Sequence, residues 1–178
     1  MKKMLLILAV MMVSLAAQAQ EIYLGGGVSL WRNNDIEKTS FSITPDVGYV
    51  LNKHWAIGAE FAFSHEGFDD DNENTFTSNS LAIAPYARYS YFENKIVRLF
   101  LDMGFGFSTT KIKHGDAVNG YEIGLKPGLA VKLDHHFSLV TKIGFAGYRD
   151  DYRGHTSGNG FGVDLEGEHI SFGIEYEF

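Results

Sequence analysis

Eight stretches of this chain carry an apolar or aromatic residue at every second position, with no charge at any of them. Ile22, Leu24, Gly26, Val28 and Leu30 form the first set, and Phe41, Ile43, Pro45, Val47 and Tyr49 the second. Trp55 to Phe63, Leu81 to Tyr89, Val97 to Phe107 and Tyr121 to Leu133 continue the pattern. Phe137, Leu139, Thr141, Ile143 and Phe145 form the seventh set, with Thr141 its polar exception. The chain closes on "ISFGIEYEF", where Ile170, Phe172, Ile174, Tyr176 and Phe178 alternate with Ser, Gly and Glu. A period of two is that of a β-strand whose faces meet different surroundings. The complementary face carries Asp46, Glu60, Arg88, Arg98, Asp102, Glu122, Lys126, Lys132, Lys142 and Glu175, five acids and five bases padded with Gly, Ser and Ala.

A face of continuous hydrocarbon does not sit in water, and a charge at bilayer mid-depth costs about 2–4 kcal/mol. An apolar face turned inward describes a soluble, lipocalin-like carrier. An apolar face turned outward describes a membrane barrel. The lumen of an eight-stranded barrel is just wide enough for side chains; the bulky apolar set would overfill it, whereas small residues with balanced charges fit. Aromatics also gather at both strand ends. Tyr49, Trp55, Tyr89, Tyr91, Phe137, Tyr176 and Phe178 lie near one, and Phe41, Phe63, Phe107 and Tyr121 near the other, as in the aromatic girdles at bilayer interfaces.

The expected strands are 21–31, 40–51, 55–65, 78–91, 96–109, 120–133, 137–148 and 163–178. Short polar turns (Asn52-Lys53-His54, Glu93-Asn94-Lys95, Asp134-His135-His136) alternate with longer polar stretches such as "HEGFDDDNENTFT" and "RDDYRGHTSGNG". The expected fold is therefore all-β: an eight-stranded antiparallel up-and-down transmembrane β-barrel with short periplasmic turns and longer extracellular loops. Closure pairs every backbone group within the hydrocarbon. Three prolines repeat at spacings of 85 − 45 = 40 and 127 − 85 = 42 residues. Proline cannot donate to a sheet ladder, so bulges are expected at Pro45, Pro85 and Pro127. A parity slip near Gly167 predicts a further bulge or a loop end there.

Residues 1–19 read as a secretory signal peptide: Lys2 and Lys3, an apolar run from Met4 to about Leu15, and Ala17-Gln18-Ala19 before the cut. The run is shorter than the roughly 18–20 residues that cross a bilayer as a helix. Losing its two lysines takes the formal charge from −7 to −7 − 2 = −9. Residues 20–178 form one domain. It has no cysteine, so a secreted chain of this kind is held by its core or by a bilayer. Mean hydropathy is −0.09, which excludes a helical membrane protein but not a barrel with a polar lumen.

The leader, the eight alternating strands, the recurring Pro-x-x-x-Tyr or Pro-x-x-x-Val element and the terminal Phe178 together resemble the small OmpA/OmpX-like outer-membrane barrels, in particular the outer membrane protein β-barrel domain of Bacteroidetes-type bacteria. The resemblance implies an outer-membrane location with both termini in the periplasm. It also implies that Phe172, Ile174, Tyr176 and Phe178 match the C-terminal signal read by the outer-membrane insertion machinery. The resemblance is to the barrel alone and not to the peptidoglycan-binding domain found in OmpA, so no cell-wall tether is expected.

Four constellations bear on chemistry. His169 and Ser171 resemble the His-x-Ser pair of an outer-membrane lipid A deacylase, but parity turns them into the lumen, away from lipid. His135 and His136 are neighbours on a tight turn. Glu66, Asp69, Asp70, Asp71 and Glu73 are oxygen ligands of the kind that hold Ca²⁺ or Mg²⁺, without the spacing of an EF-hand loop. The ten lumen charges suit a salt-bridged plug better than a pore, because pairing satisfies buried ions. The expectation is a non-enzymatic, monomeric protein with no cofactor, bound metal or nucleic acid. Its work is structural or adhesive through four surface loops, and its partners are outer-membrane lipid, lipopolysaccharide, the insertion machinery and extracellular ligands. The rival readings are a lipid-modifying enzyme, a narrow channel and the soluble carrier.

Overall fold

The computed structural model describes residues 22–33, 38–69, 75–112, 116–154, 159–164 and 170–178. They form β1 (Ile22–Asn33), β2 (Lys38–Val50), β3 (Trp55–Asp69), β4 (Thr75–Glu93), β5 (Val97–Ile112), β6 (Ala117–Lys132), β7 (Phe137–Ile143), β8 (Phe145–Asp150), β9 (Asn159–Asp164) and β10 (Ile170–Glu177). All pairings are antiparallel. β1 to β6 pair in chain order, β7 lies between β6 and β10, and β10 returns to β1, which closes the barrel. β8 continues the line of β7 along β6, and β9 pairs with β8. The ten segments therefore make eight barrel staves, with the seventh and eighth each in two parts.

Two of the three short turns are built by asparagine. Asn52 Oδ1 accepts from the backbone N–H of His54 (2.9 Å) and Trp55 (3.1 Å), and Asn94 Oδ1 from Ile96 (2.8 Å) and Val97 (2.7 Å). This is the local bonding that favours Asn where a strand reverses. At the opposite end the strands outrun expectation, with β3 reaching Asp69, β5 reaching Ile112 and β9 beginning at Asn159.

The apolar face points outward. Leu81 is 66% exposed and Ile123 59%, while Arg88 on the other face is 2% exposed. Trp55 packs on Tyr89 (4.9 Å between ring centroids), and Tyr176 sits between Phe137 (4.9 Å) and Phe178 (4.8 Å), which makes the aromatic girdle at the short-turn end.

Three expectations are corrected. Phe145 does not face outward; it is buried. Gly144 adopts φ 73°, and the register moves from Gly128↔Lys142 to Leu125↔Ala146, which is one extra residue on the seventh stave. That bulge exchanges the two faces, turning Phe145 and Arg149 in and Tyr148 out against Tyr121. Pro45 and Pro85 produce no bulge. Register is constant through Gly26↔Pro45 and Ala59↔Pro85, and pairing simply lapses on the side where the missing N–H would have bonded, before resuming in step. At Pro127 the extra residue belongs to the neighbouring stave, at Gly144. A further shift lies between Ser90 and Phe92. The slip expected near Gly167 lies outside the described residues.

Small residues and charges do not fill the lumen by themselves, which is the third correction. Tyr23, Tyr86, Phe100, Phe145 and Tyr152 project into it, each over a glycine of a nearby strand. A Cβ on Gly58 would lie 2.6 Å from the Tyr86 hydroxyl, one on Gly124 2.7 Å from the Phe145 ring, and one on Gly106 2.6 Å from the Tyr152 hydroxyl. Gly48 under Tyr23 and Gly128 under Phe100 are closer still. Glycine here supplies depth for a ring in a tube too narrow for two facing side chains.

Candidate functional site

The ten charged residues of the inward face take part in ion pairs at three levels. At the centre, Arg88 donates from Nε and Nη2 to the two Asp102 oxygens (2.7 and 3.1 Å) and from Nη1 to Glu175 Oε2 (2.7 Å). Asp46 lies 3.8 Å away. This fork-on-carboxylate geometry gives arginine its strong charge-assisted bonds. The guanidinium also stacks over Phe100, 4.1 Å from the ring centroid. Lys142 binds Glu60 (2.7 Å) and approaches Asp102 (3.4 Å) and Asp46 (3.6 Å). Asp46 further accepts from the Tyr86 hydroxyl (2.6 Å). Tyr86 has thereby used its proton, so at the 2.7 Å contact between phenols Tyr23 donates.

Toward the short turns, Arg98 bridges Glu175 and Glu177, the latter at 2.5 Å, and Lys132 pairs with Glu93 at the rim. Toward the long connections, Glu122 receives Lys126 (2.6 Å) and Arg149 (2.9 Å). The network ties β2 and β3 to β4, β5, β7 and β10 across the full width of the tube. Two cavities lie against it, of about 20 Å³ and 40 Å³. That is room for a few waters.

Above this lies a level that sequence reasoning missed. After β8 the chain turns back into the barrel mouth through Tyr152–Gly154, with φ of 45° at Asp151 and 56° at Arg153. Tyr152 is 4% exposed and packs on Ala62 and Ala82. Ser42, Ser64, Ser80 and Thr110 stand directly opposite one another across β2 to β5, and Arg153 bonds into this row.

Parity would have disclosed Tyr23, Tyr86 and Glu177, which share the inward positions of their strands. Arg149 was hidden by the bulge, and Arg153 by its place in an apparent loop. Phe172, Ile174, Tyr176 and Phe178 lie along the outer face of the last stave and just past it. His136 Nδ1 bonds the Glu177 carbonyl (2.9 Å) and its ring stacks on Tyr176. Ser171 pairs with Lys142 in register. His169 lies outside the described residues, as do Asp70, Asp71 and Glu73. Glu66 and Asp69 lie at the upper end of β3.

A family model described as outer membrane protein beta-barrel domain matches residues 5–178. Among solved structures, the chain is similar to the outer membrane protein OprG from Pseudomonas aeruginosa, with TM-score 0.56 and 10% identity over 89% of this chain and 95% of that one. It is also similar to Ail, the attachment invasion locus protein of Yersinia pestis, solved with the heparin analogue sucrose octasulfate (TM-score 0.53, 15% identity, 89% and 97% covered). Ail in a phospholipid bilayer nanodisc gives TM-score 0.50 at 16% identity, over 89% and 99%. At such identities the likeness is one of fold. No curated protein sequence matches.

Proposed function

The chain belongs to the outer membrane protein β-barrel domain family and resides in the bacterial outer membrane, and from that premise we propose that it is a closed scaffold, a non-enzymatic monomer without a cofactor, that holds four loops at the cell surface for envelope integrity or adhesion. The supporting observation is the Arg88–Lys142 network. Four carboxylates, Asp46, Glu60, Asp102 and Glu175, converge on Arg88, Lys142 and Arg98 in the middle of the tube, and a route for solute would have to break those pairs. With the lumen occupied, the surface left for recognition is the set of connections between long strands, where binding commonly lives on rigid scaffolds.

On the same reading, residues 1–19 are removed on export, and Phe172, Ile174, Tyr176 and Phe178 serve the insertion machinery. Outer-membrane lipid and lipopolysaccharide surround the apolar belt. Planar-bilayer recording of the purified barrel tests the closed scaffold. The expected result is no steady conductance, with binding of cells to coated surfaces dependent on the long connections. A stable ohmic conductance would replace the scaffold with a channel.

A further inference from the structure

At the long-connection mouth the polar groups do not balance. Arg153 donates from Nη2 to Ser64 Oγ (2.8 Å) and Ser42 Oγ (3.1 Å), and its backbone N–H donates to Ser108 Oγ (2.8 Å). Every other Arg or Lys of the lumen lies against a carboxylate. Arg153 has no carboxylate within ion-pair distance among the described residues. Its Nε is buried and has no partner. The hydroxyls have the same deficit of acceptors. Ser42, Ser64, Ser80, Ser108 and Thr110 bring five protons, and two are used inside the row, Ser64 to Ser42 (3.4 Å) and Thr110 to Ser80 (3.1 Å). A partly exposed cation ringed by spare donors is the complement of an anion with several acceptor oxygens.

We propose that this mouth is an oxyanion site, taking a phosphate or sulfate group on the Arg153 guanidinium with the uncommitted hydroxyl protons of Ser42, Ser80 and Ser108 as further donors. The left-handed backbone at Asp151 and Arg153 turns the chain inward and holds the guanidinium over the row. Tyr152, buried on Ala62 and Ala82 beneath the turn, anchors it. The site rests on the scaffold reading only in placing this mouth at the cell surface. The group it takes is the same whether it arrives on a free solute or on a lipid headgroup.

The test uses the full barrel in a neutral detergent, titrated with inorganic phosphate and with sulfate against chloride at matched ionic strength. The Arg153 Nε–H NMR signal and calorimetry are followed. Expected are a saturable shift, a dissociation constant of about 1 mM, and an affinity about tenfold weaker in Arg153→Gln, partly restored in Arg153→Lys. Ser42→Ala/Ser64→Ala, which leaves the arginine in place, weakens binding several-fold and keeps the site testable if Arg153→Gln does not fold. Detergent doped with bis-phosphorylated lipid A, compared with its dephosphorylated form, separates the sources. A shift with the phosphorylated lipid alone identifies a headgroup, and one with inorganic phosphate identifies a solute. The proposal is overturned by unchanged affinity in the variants, by an equal response to chloride, or by no response to any phosphate. Surface labelling of this mouth on intact cells tests the scaffold reading separately, since a mouth facing the periplasm would refute that reading and leave the site standing.

Discussion

Replacing Arg88 with Met removes the cation at the centre of the lumen while keeping an unbranched side chain of similar reach over Phe100. Three charge-assisted bonds go with it, two to Asp102 and one to Glu175. At about 1.5–3 kcal/mol each the gross loss is roughly 5–9 kcal/mol. Methionine returns part of this through apolar contact with the ring, so the net lies near the 3–5 kcal/mol typical of a buried pair broken on one side. Urea unfolding in phospholipid vesicles, followed by gel mobility and tryptophan fluorescence, measures it. Arg88→Met/Asp102→Leu leaves Glu175 with Arg98 and recovers at least half of the loss, because both members of the pair are then absent. A loss below about 1 kcal/mol in the single variant would mean that water already screens these charges, and the filled lumen would fall with it.

Three further outcomes follow from the same geometry. Gly128→Ala drives a methyl group into Phe100 and destabilises by about 1–3 kcal/mol, while Gly67→Ala, with nothing within 4 Å, is silent; the same unfolding assay compares them. Met103→Arg, midway along the outward face of β5, costs about 2–4 kcal/mol in vesicles, and an equal cost at the rim residue Tyr91 would contradict the bilayer position. Deleting Phe178 lowers the heat-modifiable, folded fraction in the outer membrane of cells, and an unchanged fraction would remove this residue from the insertion signal.

The staves were legible because lipid imposes a strict period of two on one face and excludes charge from it; Ile57, Ile83, Leu101 and Ile123 declare their side without reference to partners. The inward face was legible as composition but not as a network. Which acid meets which base depends on register across staves far apart in sequence, as with Arg88 and Glu175. Gly144 shows where the pattern fails. One residue in a left-handed conformation exchanges faces for the rest of its stave, and Phe145 and Arg149 still read as a strand with the wrong parity. Tyr152 and Arg153 carry no periodicity at all. Their inward fold is set by the depth that Gly106 and Gly120 leave open opposite them, a property of two other strands.

The absence of native cysteine allows the central claim to be read position by position. Single cysteines at residues 99 to 107 of β5 carry a spin label in lipid vesicles, and collision with dissolved oxygen is compared with collision with a water-soluble nickel chelate. The account predicts high oxygen access at positions 99, 101, 103, 105 and 107, and low access to both reagents at 100, 102, 104 and 106. Chelate access at the even positions would show a water-filled channel, and chelate access at the odd ones a soluble barrel.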